Sequence, residues 1–127
     1  MTELRISEAA ELLGVSDDTV RRWADEGRLR DGQSGSPRTV LAQDVAALMR
    51  ESAPELPHLQ TSARNRLEGI VTRVEKDGVM ALVEIQAGPH RMVSLMSREA
   101  AEELGLEPGV LAAAVVKATN VVVEVPR

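Results

Sequence analysis

The spacing of apolar positions changes midway along the chain. From Ile6 to Met49 apolar residues recur three to four apart, the helical period, and from Leu67 onward they recur two apart, the strand period. Ser7 is placed to cap a first helix with Ala10, Leu12 and Leu13 facing inward, and Gly14 to stop it. Ser16 caps a second helix, with Asp17 and Asp18 in its first turn complementing the dipole. Val20 and Trp23, three apart, share its buried face, and Gly27 ends it. A turn-rich loop from Arg30 to Pro37 leads to a short strand, Arg38 to Leu41, and a third helix from Asp44 to Arg50 carries Val45, Leu48 and Met49. Glu51 to Gln60, with Pro54 and Pro57 and no periodicity, reads as a linker.

Beyond the linker, Leu67, Ile70, Val71 and Val74 lead to an Asp77-Gly78 turn, and Val79 to Ile85 returns as the second arm of a hairpin. A third strand spans Arg91 to Met96. Ser97 caps a short helix through Leu104, stopped by Gly105. Val110 to Val116 and Val121 to Val125 complete five strands, and Met80, Met92 and Met96 are spaced as strand core residues. Five short strands with a helix between the third and fourth is the order of an OB-like barrel. The expected fold class is α+β in two small domains: a mostly α winged helix-turn-helix at 1–50, a linker at 51–60 and a five-stranded barrel with one short helix at 61–127.

Composition narrows the chemistry. The chain has 127 residues, and two domains of that size sit near the lower limit for a self-sufficient core. Trp23 is the sole aromatic residue, so the core must be aliphatic. With no Cys there is no disulfide framework or thiolate ligand, which fits a cytoplasmic protein. The N-terminus lacks a signal-peptide pattern, and no apolar run approaches the roughly 18 residues a membrane span needs. A net charge of −5 argues against broad polyanion binding. Arginines nevertheless cluster between Arg21 and Arg38. His58 and His90 have no ligand-spaced partner, so no metal site is expected. Gly32 to Ser36 lacks the Gly-Lys-Ser/Thr end of a phosphate loop, and no nucleophile–base pair is visible, so the chain does not read as an enzyme.

Two constellations carry chemistry. The helix–Gly–helix spacing from Ile6 to Glu26 is that of a helix-turn-helix. Its residues Val15-Ser16-Asp17-Asp18-Thr19-Val20-Arg21-Arg22-Trp23, followed by Gly27-Arg28-Leu29, resemble the MerR and excisionase families of winged DNA-binding proteins. Val20 and Trp23 face the core, which leaves Thr19, Arg21 and Arg22 toward solvent. Arg pairs bidentately with guanine or phosphate, and Ser16 and Thr19 at the helix start reach phosphate. The resemblance adds Arg28 and, on the wing, Arg38. The partner it implies is double-stranded DNA.

The second constellation is Thr61-Ser62-Ala63-Arg64-Asn65-Arg66-Leu67 with Lys117-Ala118-Thr119-Asn120-Val121 about fifty residues on. Small hydroxyls, turn-region N–H groups and one Lys suit a tetrahedral oxyanion better than acid–base chemistry. Together the segments resemble the Mop (molbindin) domain of the TOBE group over roughly Thr61 to Val125. The resemblance implies molybdate or tungstate as ligand, held between subunits by Ser62, Ala63, Arg64, Lys117, Ala118 and Thr119. It adds Ser97, at the start of a helix where free N–H groups favour an anion, and implies a homo-oligomer, from dimer to hexamer. Joined to a DNA-reading domain, this implies a one-component regulator. An oxyanion storage protein, or an architectural DNA binder that uses the barrel for assembly, stays open.

Overall fold

The computed structural model describes residues 2–53 and 60–126. The chain forms two compact units that divide between residues 55 and 56. Most of the expected linker lies outside the described residues, as does His58, and Glu51 and Ser52 extend the third helix instead.

The N-terminal unit runs β1 (Glu3–Arg5), α1 (Ile6–Leu13), α2 (Asp17–Asp25), β2 (Thr39–Leu41) and α3 (Ala42–Ser52). Ser7 does not cap α1. The N-cap is Arg5, whose backbone N–H donates to the Glu8 carboxylate at 3.0 Å. The helix begins at Ile6, two residues earlier than a Ser7 cap would place it; Ile6, Ala9 and Ala10 turn inward, and Leu12 is 54% exposed, against the expected inward face. Gly14 caps the end at φ 71°, a conformation open to glycine. The Ser16 hydroxyl caps α2, accepting from the Thr19 N–H at 3.2 Å.

Strand β1 has no clear sequence signal, since Glu-Leu-Arg gives one apolar position. It forms because β2 pairs with it antiparallel, Leu4 opposite Val40. The third helix starts two residues before Asp44, whose carboxylate is held by Arg30. Ile6, Ala9, Ala10, Val20, Ala24, Leu29, Val40 and Val45 make the core, with Trp23 packed at its edge.

The C-terminal unit runs β3 (Asn65–Lys76), β4 (Met80–Ala87), β5 (His90–Ser97), α4 (Arg98–Glu103), β6 (Leu111–Val116) and a 3-10 turn (Ala118–Asn120). The sheet is antiparallel in the order β5-β4-β3-β6. The long strand β3 pairs with β6 through its first half and with β4 through its second, with a register shift between Val71 and Arg73. At the crossover sits Gly69, where a Cβ would collide with the Gln86 backbone carbonyl. Strand β3 can approach the Gln86 backbone that closely only because the side chain is missing. Val71, Val83 and Ile85 centre the core, joined by Met92, Met96, Leu106 and Val110. Met80 lies outside that cluster and is partly exposed.

The expected five-stranded barrel is a four-stranded half-barrel among the described residues. Val121 to Val125, which follow the 3-10 turn after β6, join no strand among the described residues. Val122 is 92% exposed, and Val121, Val123 and Val125 are also open to solvent. No helix among the described residues is long and apolar enough to cross a membrane.

Candidate functional site

Antiparallel pairing of β3 with β6 builds one site. Asn65 opens β3 opposite Val116, which closes β6. The chain before Asn65 and the chain after Val116 therefore leave the sheet side by side. Ser62, Ala63 and Arg64 lie in the first segment, Lys117, Ala118 and Thr119 in the second. The Asn65 amide donates to the Val116 carbonyl at 3.1 Å and ties the two together. Asn65 was not among the expected ligand residues, although it stands inside the motif.

The two segments carry hydroxyls, N–H groups and a cation. Lys117 precedes the 3-10 turn, whose Asn120 N–H donates back to the Lys117 carbonyl at 2.9 Å, and Lys117, Ala118 and Thr119 are exposed. Across from them Ala63 N–H donates to the Thr61 hydroxyl at 3.2 Å, and Arg64 Nη1 donates to the Thr61 carbonyl at 3.0 Å. The loop is closed on itself, so an anion drawing on the Ala63 N–H must displace Thr61. That competition could not be read from residue types alone.

Ser97 is not brought to this place within one chain. It pairs with Met80, beside the turn that follows Lys76, while Asn65 is at the opposite end of β3. The path along β3 between those ends is roughly 35 Å at about 3.3 Å per residue. There the Ser97 hydroxyl accepts from the Ala100 N–H at 3.1 Å and caps α4.

Helix α2 and the ribbon behind it carry the other candidate residues. Ser16 and Thr19 sit at its N-terminus, their hydroxyls 3.0 Å apart. The arginines all have acidic or aromatic neighbours. Arg21 is 3.3 Å from Asp18 within α2, and Arg22 is 4.0 Å from Glu26 at its C-cap, both pairs well exposed. Arg28 lies over the Trp23 ring, 4.8 Å from its centre, a cation–π contact. Arg38 reaches Asp31 at 2.7 Å and Asp25 at 3.0 Å. Donating hydrogen bonds to Asp31, then Asp25, raises the Arg38 pKa further.

Glu84 is a buried charge that sequence reading passed over. It is 8% exposed on β4 and paired with Arg91 and Arg73 from the flanking strands. The Arg91 hydrogen bond leads in holding its carboxyl below the usual range. The signal was its place opposite Arg73 and Val93 in register, which needs the sheet order. Among the described residues no group of His, Asp and Glu could hold a metal ion.

Known proteins resolve the same two parts. Residues 61–123 match the TOBE domain and residues 3–53 a helix-turn-helix domain. A probable molybdenum-pterin-binding protein of Haemophilus influenzae is 43% identical over 68 residues, 53% of this chain and 99% of that one. Molybdenum-pterin-binding protein 2 of Clostridium pasteurianum is 39% identical over 66 residues, 51% of this chain and 97% of the relative. Among solved structures, a molybdate-binding protein from Sporomusa ovata superposes with TM-score 0.50 at 32% identity, covering 52% of this chain and 98% of that chain. The cytoplasmic molybdate-binding protein ModG, with molybdate bound, gives TM-score 0.51 at 41% identity over 54% of this chain and 50% of that chain. The chain therefore belongs to the Mop/TOBE domain family through its C-terminal unit, with a helix-turn-helix domain before it.

Proposed function

We propose that this protein is a one-component transcription regulator that takes up molybdate or tungstate in its C-terminal unit and reads DNA with its N-terminal unit. The observation that carries it is the Asn65–Val116 pairing, which sets the Ser62–Arg64 and Lys117–Thr119 segments side by side in a chain that also holds a helix-turn-helix. Ser62 and Thr119 supply hydroxyls, Ala63, Arg64 and Ala118 backbone N–H groups, and Lys117 the charge. A charge-assisted hydrogen bond from Lys117 is the strongest single contact of that set. The ligands named for the similar proteins support the same chemistry.

Ser16, Thr19, Arg21, Arg22 and Arg28 are the DNA-facing residues of this reading. Ion pairs exposed as fully as Arg21–Asp18 hold weakly, so the arginines can turn to phosphate or base. Assembly links the two activities. With Ser97 supplied by a neighbouring copy, an oxyanion bridges subunits, and the copies it gathers place paired DNA heads on half-sites.

Storage is the second reading. Residues 1–55 carry seven Arg and Lys against eleven Asp and Glu, a poor balance for holding DNA. Titrating wild type against a duplex it selects from a random library, at fixed salt, with and without saturating molybdate or tungstate, separates the two. The regulator shifts affinity at least a few-fold, and an Arg21→Ala, Arg22→Ala double variant loses binding while keeping its oligomeric state. Identical curves with oxyanion binding confirmed leave storage or a purely architectural role in DNA binding.

A further inference from the structure

We propose that Arg38 is a positioning residue for DNA binding, clamping the wing onto helix α2 rather than contacting a phosphate. This role rests on the DNA-binding reading above.

The geometry separates Arg38 from the other arginines. All three of its nitrogens are committed to carboxylates on two different elements. Nε and Nη2 face the two oxygens of Asp31 at 2.7 and 3.4 Å, while Nη1 lies 3.0 Å from Asp25. Asp25 is the last residue of α2, and Asp31 opens the ribbon, bridged to Val40. The guanidinium therefore spans from the end of the helix to the base of the wing. Among the described residues Arg21 pairs with Asp18 in its own helix and Arg22 with Glu26 at that helix's C-cap, and more than half of each arginine side chain is exposed. The Arg38 side chain is 34% exposed.

Electrostatics points the same way. An Arg38 turned to a phosphate would leave Asp25 and Asp31 bare beside the duplex, and their repulsion would oppose the contact it made. Kept in place, it neutralises both acids and fixes the ribbon. The other edge of the wing is tied independently. The Glu3 carboxylate accepts from the Thr39 hydroxyl at 2.5 Å and from the Ser34 N–H at 3.3 Å. Gly32 N–H closes the ribbon on the Thr39 carbonyl at 2.9 Å. Glu3 holds the wing to β1 and Arg38 holds it to the DNA-reading helix.

The test uses the full chain and a duplex that wild type selects from a random library. Arg38→Ala is expected to weaken binding about tenfold with an unchanged slope of log K against log salt. A phosphate contact would instead lower that slope by about 0.9, which would overturn the clamp. Asp25→Asn gives a test of sign. Removing an acid near DNA should strengthen binding if charge alone matters, and the clamp requires about a threefold loss. The double variant should bind no more weakly than Arg38→Ala, since both substitutions break one contact. Hydrogen exchange gives a readout that needs no DNA. The Gly32 and Ser34 amides should exchange faster in both variants, with α1 and α3 unchanged. Unaltered exchange there, with normal wild-type DNA binding, overturns the clamp alone. A wild-type chain that selects no duplex overturns the DNA reading and, with it, this role.

Discussion

The Asn65 side-chain amide donates to the backbone carbonyl of Val116 at 3.1 Å, across the pair of residues where β3 begins and β6 ends. It closes the open end of the ladder between the two segments proposed to hold the oxyanion. Asn65→Ala should leave the Val116 carbonyl without that donor. The loss in stability should be about 1 kcal/mol, the net worth of one hydrogen bond. Molybdate affinity should fall more than that figure implies, because both segments loosen together. Calorimetric titration beside thermal unfolding checks it, and unchanged affinity in a destabilised variant would show that the tie is only structural.

How far the sequence revealed this arrangement differs by element. Helix α2 was legible because Ser16, two Asp and the Val20–Trp23 spacing agree with one another and with the Ser16 cap in the structure. The two motif segments, residues 61–67 and 117–121, were legible as segments, but the resemblance implies that they meet between subunits. Their juxtaposition within one chain through the β3–β6 ladder was not legible, since register over fifty residues is set by which strands become neighbours. Val121 to Val125 misled for a physical reason. A run of β-branched residues satisfies the strand pattern whether its partner lies in the same chain or in another, and here the same chain supplies none among the described residues. Likewise Leu12 beside Leu13 suggests a shared inward face, but the buried stripe runs Ile6, Ala9, Ala10 and Leu13, the i, i+3, i+4, i+7 positions, and Leu12 falls outside it.

Lys117 supplies the charge in the proposed site. It is exposed after β6, beside the turn that carries Thr119. A hydrogen bond to a charged group is worth roughly 1.5–3 kcal/mol. Lys117→Ala should therefore weaken molybdate or tungstate binding at least about tenfold, while leaving the sheet intact. Wild-type affinity in this variant would place the oxyanion elsewhere.

Asp44 predicts an acid-sensitive N-terminal unit. Its carboxylate accepts from the Arg30 side chain at 2.8 and 3.0 Å and from the Arg30 N–H at 2.8 Å. The Arg30 side-chain hydrogen bond leads in lowering its pKa below the usual carboxylate value. A folded-state pKa below the unfolded one means the stabilisation is present above the ordinary Asp range. It is lost as pH falls through that range to the lowered value. Wild type should thus lose more stability between pH 6 and acid than Asp44→Asn, which lacks the titrating group. Thermal melts across that interval check it, and parallel pH curves for the two proteins would remove Asp44 as the cause.

The exposed tail predicts that assembly and ligand depend on each other. Val121, Val122, Val123 and Val125 are solvent-exposed, and β6 is an edge of the sheet, paired among the described residues with β3 alone. An unpaired edge beside an apolar segment is a template for pairing with another chain. Ser97, meanwhile, sits at the far end of the sheet from Lys117, so a site using both needs two copies. Truncation before Val121 should shift the protein toward monomer and weaken molybdate binding in the same variant. In the full chain, molybdate at a hundredfold excess over Kd should stabilise the assembly by about 2.7 kcal/mol per site, if it binds only the assembled form. Sedimentation velocity across a range of protein concentrations, with and without molybdate, measures both effects. A truncated chain that sediments as wild type and binds molybdate equally would show that the tail has no part in assembly. A wild-type chain that binds molybdate as a monomer would overturn the shared site.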